Sequence, residues 1–116
     1  MLLTMIFLHI VDDYYLQGWL ASAKQKKWWL ENSPNKLYRY DYLWALFMHS
    51  FSWTFMVTLP ITIKCSSCIR FYILILLNII IHGFVDNLKA NKLKINLIQD
   101  QLIHLLQIVI TFLLLV

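Results

Sequence analysis

Four stretches made mostly of Leu, Ile, Val and Phe, at 1–20, 42–63, 69–88 and 96–116, alternate with short polar connections. Each is near the length of about 20 residues that an α-helix needs to cross the hydrocarbon core of a bilayer. The pattern predicts an all-α fold, a four-helix transmembrane bundle in a single integral membrane domain. Polar residues inside the stretches recur at helical spacing. In the last, Asn96, Asp100, His104, Gln107 and Thr111 follow at intervals of four, four, three and four. His9, Asp13 and Gln17 in the first stretch, and Asn78, His82 and Asp86 in the third, are each four apart. Every such set lies on one helix face. In the second stretch, His49 is the ionisable residue beyond the entrance, about two turns in.

Short connections force successive spans to alternate in direction, and this gives the polar residues a common depth. His9 to Gln17 come late in the first span and His49 early in the second. His82 and Asp86 come late in the third, Asp100 and His104 early in the fourth. All of them converge on one side of the membrane. The two loops on that side hold Lys24, Lys26, Lys27, Lys36, Arg39, Lys89, Lys92 and Lys94, whereas the opposite loop holds Lys64 and Arg70. The positive-inside rule then places the cluster toward the cytoplasm of an inner membrane, with both termini outside.

The first connection reads as a short interfacial helical segment. Trp19, Trp28 and Trp29 suit head-group depth, and Lys24, Lys26 and Lys27 suit snorkelling toward water or lipid phosphate. Asn32-Ser33-Pro34 breaks it, and Ser33 as N-cap with Pro34 at the first helical position predicts a restart there. Tyr38, Tyr40 and Tyr42 form a belt before the second span. Pro60 lies near the far end of that span, where a kink or stop costs little.

Composition agrees with a membrane assignment. A hydrophobic fraction of 60% with 14% charged residues and a mean hydropathy of +0.64 lie outside the range of ordinary soluble domains. The basic balance therefore reads as orientation and attraction to anionic lipid, and no motif points to nucleic acid. The N-terminal apolar run has no basic leader and enters Asp12-Asp13 instead of a small-residue cleavage site, so it is expected to be retained. Cys65 and Cys68 form one CxxC between apolar segments, read as two small loop residues and not as a metal or redox pair.

The candidate chemistry lies in the convergent set. His9, Asp13, His49, His82, Asp86, Asp100 and His104 are imidazole and carboxylate donors suited to a divalent ion, with zinc favoured and manganese or iron as alternatives. Seven donors exceed one tetrahedral ion and suit two metal ions at the separation of hydrolytic two-metal centres. Three carboxylates with neutral histidines leave about three negative charges in a low-dielectric region, which two divalent cations would compensate. The competing account protonates three histidines and pairs each with its local aspartate, which leaves His49 unexplained. Asp12, about 100° round the helix from the His9 to Asp13 line, reads as an interfacial acid or a supporting partner. Gln17, Asn78 and Gln101 are expected to orient donors, hold substrate oxygens or join helices. Lys89, Lys92 and Arg39 stand where they could draw in an anionic head group. The remaining Trp and Tyr residues read as belt. The order His-x3-Asp, His, His-x3-Asp, Asp-x3-His hints at two related halves.

His9-Ile-Val-Asp-Asp-Tyr-Tyr-Leu-Gln17, the isolated His49, His82-Gly-Phe-Val-Asp86-Asn-Leu-Lys89 and Asp100-Gln-Leu-Ile-His104 resemble, in order, the domain-of-unknown-function 3307 family, small polytopic membrane proteins of bacteria and their phages. The resemblance implies a shared polar site and no particular reaction. A looser similarity to membrane-bound metal-dependent hydrolases rests on the His-x3-Asp spacing. The expected function is a membrane-embedded hydrolase acting, through a metal-activated water, on a lipid-linked or phosphate-ester head-group substrate. The alternatives are a proton or divalent-cation transporter, or a non-catalytic membrane factor whose His-Asp site staples the bundle and which binds a membrane-protein partner or a second copy.

Overall fold

The computed structural model describes residues 1–65 and 67–116. Its described residues form six α-helices and no strand. Helix α1 (Leu2–Val11) runs directly into a π-helical turn at Asp12–Leu16, and two short helices, α2 (Leu20–Ala23) and α3 (Lys26–Asn32), follow. A 3₁₀ turn at Lys36–Tyr38 leads into α4 (Asp41–Cys65), and α5 (Ile69–Ala90) and α6 (Leu97–Leu115) complete the chain. Lys36–Cys65, Ile69–Ala90 and Leu97–Leu115 are long and apolar enough to cross a membrane. The turn expected at 64–70 includes Ser66, which lies outside the described residues.

The first apolar segment is shorter than its sequence pattern suggests. Helix α1 has ten residues and the π turn five, together about 22 Å at 1.5 Å per residue. Gly18 then takes a left-handed backbone, φ +55°, that a residue with a Cβ rarely adopts, so the helix cannot continue to residue 20. The restart before α4 also differs from expectation. Ser33 is the C-terminal cap of α3, with φ −146° and ψ 71°. The capping role falls to Asn35, whose side chain accepts from the Leu37 amide at 2.9 Å. An Asn can close an Asx turn on the residue two ahead, and this local bond outcompetes a Ser-Pro start. At α6, Asn96 and Gln99 form a reciprocal capping box with bonds of 2.9 and 3.0 Å, which fixes where the helix bearing Asp100 and His104 begins. Pro60 sits inside α4, which continues past it to Cys65.

Helix α1 packs against α4 and α6, and α5 packs against the same two, so the four longer helices form a ring. The burial pattern is inverted relative to a soluble bundle. Fourteen buried residues are polar against ten that are hydrophobic. Phe7, Phe51, Phe55, Leu76, Ile80 and Leu113 stand exposed. An exterior of large apolar side chains around a polar interior has its lowest free energy in lipid, where exposing Leu or Phe costs nothing and exposing Asp or His is prohibitive. A dry core of Met5, Trp53, Val57, Ile61 and Ile108 fills one end of the ring. Where α5 crosses α4, Gly83 lets the backbones close up, since a Cβ there would meet Ser50 Oγ at 2.9 Å.

Candidate metal centre

The four histidines meet Asp12, Asp13, Asp86 and Asp100 at the other end of the ring. His9 lies near the end of α1, His49 two turns into α4, His82 and Asp86 late in α5, and Asp100 and His104 early in α6, and all are buried. The helical spacing places His82 with Asp86, and Asp100 with His104, one turn apart on the inward faces. The rings meet across the helices: His82 and His104 stack with centroids 4.0 Å apart, and His49 and His82 are tilted by 55° at 5.1 Å.

His49 Nε2 lies 3.2 Å from His82 Nε2, 3.3 Å from Asp13 Oδ1 and 3.3 Å from Asp86 Oδ2. His82 Nε2 lies 3.8 Å from the same Asp86 oxygen. On the other oxygen of Asp86, His104 Nε2 stands at 3.2 Å, and it is 3.3 Å from Asp100 Oδ1. Donors bound to one zinc at about 2.0–2.2 Å in a tetrahedron are separated by about 3.3–3.6 Å. The separations from His49 Nε2 to His82 Nε2 and Asp13 Oδ1 are near such edges, whereas the 3.8 Å between His82 and Asp86 is longer. Asp13, His49 and His82 form one group able to hold an ion, and His82, Asp86 and His104 a second. Among the described residues, Asp13 Oδ1, Asp100 Oδ1 and Nδ1 of His49, His82 and His104 are buried without a hydrogen-bond partner. Each unpaired buried polar atom costs about 1–3 kcal/mol, so the cluster is incompletely satisfied as a hydrogen-bond network, and the three unpaired Nδ1 atoms lie on the other side of their rings from the Nε2 atoms that face into the cluster.

His9 is placed differently. Trp53 Nε1 donates to its Nδ1 at 2.7 Å, and its Nε2 donates to Gln101 Oε1 at 3.0 Å. Both ring nitrogens are therefore engaged, and the Nε2-protonated tautomer is set by its neighbours. Gln101 then donates to Asp13 Oδ2 at 3.1 Å and to Asp100 Oδ2 at 3.0 Å. Trp53 and His9 thus fix Gln101, and Gln101 fixes two carboxylates.

Several other expectations are corrected by the packing. Of the two roles expected for Asp12, its placement is that of the supporting partner and not of the interfacial acid: it is 1% exposed, accepts from Ser52 Oγ at 2.7 Å and comes within 3.8 Å of His49 Nδ1. The π turn is the physical reason, because its larger number of residues per turn lessens the rotation between consecutive Asp12 and Asp13 and lets both face inward. Gln17 donates to the Asp13 backbone carbonyl at 3.0 Å and is a local tie. Asn78 belongs to a separate layer, giving a bond to Thr111 Oγ1 at 2.9 Å and receiving one from Gln107 Nε2 at 2.7 Å. These bonds tie α5 to α6. Trp53 is core, not belt, and stacks on His82 at 4.2 Å. It lies four residues after His49, a spacing that could have signalled it. Arg39 sits over the Tyr40 ring at 5.3 Å.

The largest departure concerns two lysines. Lys24, expected to snorkel, is 5% exposed and its Nζ lies 2.7 Å from Asp86 Oδ2. Asn91 at the end of α5 clasps the loop there, donating to the Lys24 carbonyl at 2.9 Å and accepting from the Lys26 amide at 2.6 Å. Lys89 Nζ pairs with Asp100 Oδ2 at 2.9 Å instead of pointing to the head groups. The charge balance changes accordingly. Asp12, Asp13, Asp86 and Asp100 against Lys24 and Lys89 leave two negative charges when the histidines are neutral. One divalent cation compensates them, so neutrality no longer calls for two.

An open groove of about 540 Å³ between α1 and α6 reaches His9 and Gln101 past Ile6, Tyr14, Tyr15 and Leu105. Most of its lining is apolar or aromatic. No family model, curated protein or solved structure matches the chain.

Proposed function

We propose that the protein is a polytopic membrane hydrolase, with α1 as a short fourth span, that uses one divalent cation to cleave a lipid-linked or phosphate-ester head group. The observation that carries this reading is the grouping of Asp13, His49 and His82, whose donor atoms lie close enough together to take one ion, with His49 Nε2 3.2 Å from His82 Nε2 and 3.3 Å from Asp13 Oδ1. Zinc fits the mixed imidazole and carboxylate set, and manganese or iron are the alternatives. A cation held there supplies Lewis acidity and lowers the pKa of a coordinated water toward about 7. His104 and Asp100 stand beside the cage to hold or pass a proton, and Gln101 orients Asp13. The largely apolar lining of the groove supports a lipid-like substrate, and the basic loops support a site on the cytoplasmic side, with both termini outside. The likeness to the domain-of-unknown-function 3307 family rests on motif order and forms part of this proposal. A transporter is less well supported, because Trp53, Val57 and Ile61 close the bundle beyond the centre.

The test is metal analysis of protein purified in detergent, followed by release of phosphate or head group from short-chain phospholipids. About one equivalent of zinc, manganese or iron, with activity lost on chelation and restored by the metal, is the expected result. Protein that stays folded and active without metal would overturn the reading.

A further inference from the structure

The interfacial segment carries two pockets that share one wall. Trp19, Trp29, Trp44 and Met48 line the first, of about 380 Å³, and Asp41 is its acid. Trp19 and Trp29 meet at 6.0 Å with planes 77° apart, so they form adjacent sides of a box. Trp29 is held in place by its Nε1 bond to the Ala23 carbonyl at 2.7 Å and by Tyr38 stacked at 6.2 Å. Trp29 also lines the second pocket, of about 350 Å³, where Lys26, Lys36 and Arg39 supply positive charge beside Tyr38. Among the described residues no ion pair involves Asp41, Lys26, Lys36 or Arg39; the nearby Glu31 pairs with Lys27 at 3.7 Å.

We propose that this segment binds a zwitterionic phospholipid head group, its quaternary ammonium boxed by Trp19, Trp29, Trp44 and Asp41 and its phosphate held by Lys26, Lys36 and Arg39. Aromatic faces attract a weakly hydrated quaternary ammonium through their quadrupoles, and a carboxylate in the same pocket adds direct attraction. Tryptophans serving only as an interfacial belt need no acid among them and no sorting of charge. Here the acid stands with three tryptophans and the bases stand in the adjoining pocket, which suits a ligand with a cation and an anion joined by a short linker. The pockets lie before and at the start of α4, the helix whose apolar exterior would accept the acyl chains. The site is independent of the metal centre, so it stands or falls separately from the proposed reaction.

The experiment titrates dihexanoyl phosphatidylcholine, dihexanoyl phosphatidylglycerol and free phosphocholine into the full chain in a neutral maltoside detergent, at 0.15 M salt or above to screen nonspecific charge. Indole fluorescence reports binding, and native mass spectrometry counts bound lipid. Phosphatidylcholine should bind saturably at one per chain and about tenfold more tightly than phosphatidylglycerol. Asp41→Asn and Trp44→Leu should each erase most of that preference, Trp44→Phe should keep it, and Arg39→Gln should weaken both lipids alike. Equal affinity for the two lipids, or an unchanged preference in Asp41→Asn with wild-type helical circular dichroism, would overturn the proposal. Phosphocholine binding as tightly as the lipid would overturn the assignment to a membrane lipid. Should Trp44→Leu fail to fold, the near-isosteric Asp41→Asn decides.

Discussion

Lys24→Met tests the internal counter-charge directly. The Lys24 ammonium lies 2.7 Å from Asp86 Oδ2, with the two side chains 6% and 2% exposed. Removing one partner of a buried ion pair costs about 3–5 kcal/mol, because the other charge is left uncompensated in a poor dielectric. Asp86 also faces His104, at 3.2 Å, and His49, at 3.3 Å, which share its charge. We therefore expect the lower end, about 3 kcal/mol, with little packing loss since Met replaces the aliphatic stem. The double variant Lys24→Met with Asp86→Asn removes both charges and should cost less than the two single losses added, by about 2 kcal/mol. Unfolding in mixed micelles of rising dodecyl sulfate fraction, followed by far-ultraviolet circular dichroism, measures all four corners of the cycle. Zinc at 100 times its Kd stabilises by about 2.7 kcal/mol. It should bind Lys24→Met more tightly than wild type, because the variant carries one more uncompensated negative charge. Single losses that add within about 0.5 kcal/mol, or equal zinc affinity for wild type and Lys24→Met, would refute the account.

Three further outcomes are expected. His49→Ala should lower bound metal below half of wild type while His9→Ala retains most of it, since His9 has both ring nitrogens engaged; equal losses in metal analysis would count against the ligand assignment. Membrane-impermeant maleimide applied to intact cells should label the exposed Cys68 and spare a cysteine placed at Lys92, and the reverse pattern would invert the topology. Gly83→Ala should destabilise by about 1–3 kcal/mol through overpacking, because its Cβ would meet Ser50 Oγ at 2.9 Å. Ser50→Ala in the same chain should restore most of that loss, as read by thermal melts in detergent.

What the sequence determined was whatever repeats at a helical period or follows from alternation of direction. Spacings of four put Asp86 under His82 and His104 under Asp100, and short connections put those pairs and His49 at one depth. No side-chain detail is needed for that, since 3.6 residues per turn and strict alternation suffice. The three longest apolar helices were legible for the same reason. The identity of the internal cations was not. Lys24 reads like its neighbours Lys26 and Lys27, and only the clasp of Asn91 on the loop backbone, 67 positions away, turns its ammonium inward. Asp12 followed no periodic rule because the π turn at Asp12–Leu16 changes the angle per residue locally, and a single sequence does not announce that change. Trp53 looked like any membrane tryptophan until helix packing set it between His9 and His82. Charge balance at the centre was therefore decided by tertiary structure, because buried charges are compensated by whatever lies within a few ångströms in space, and the chain brings Lys24 there from a distant loop.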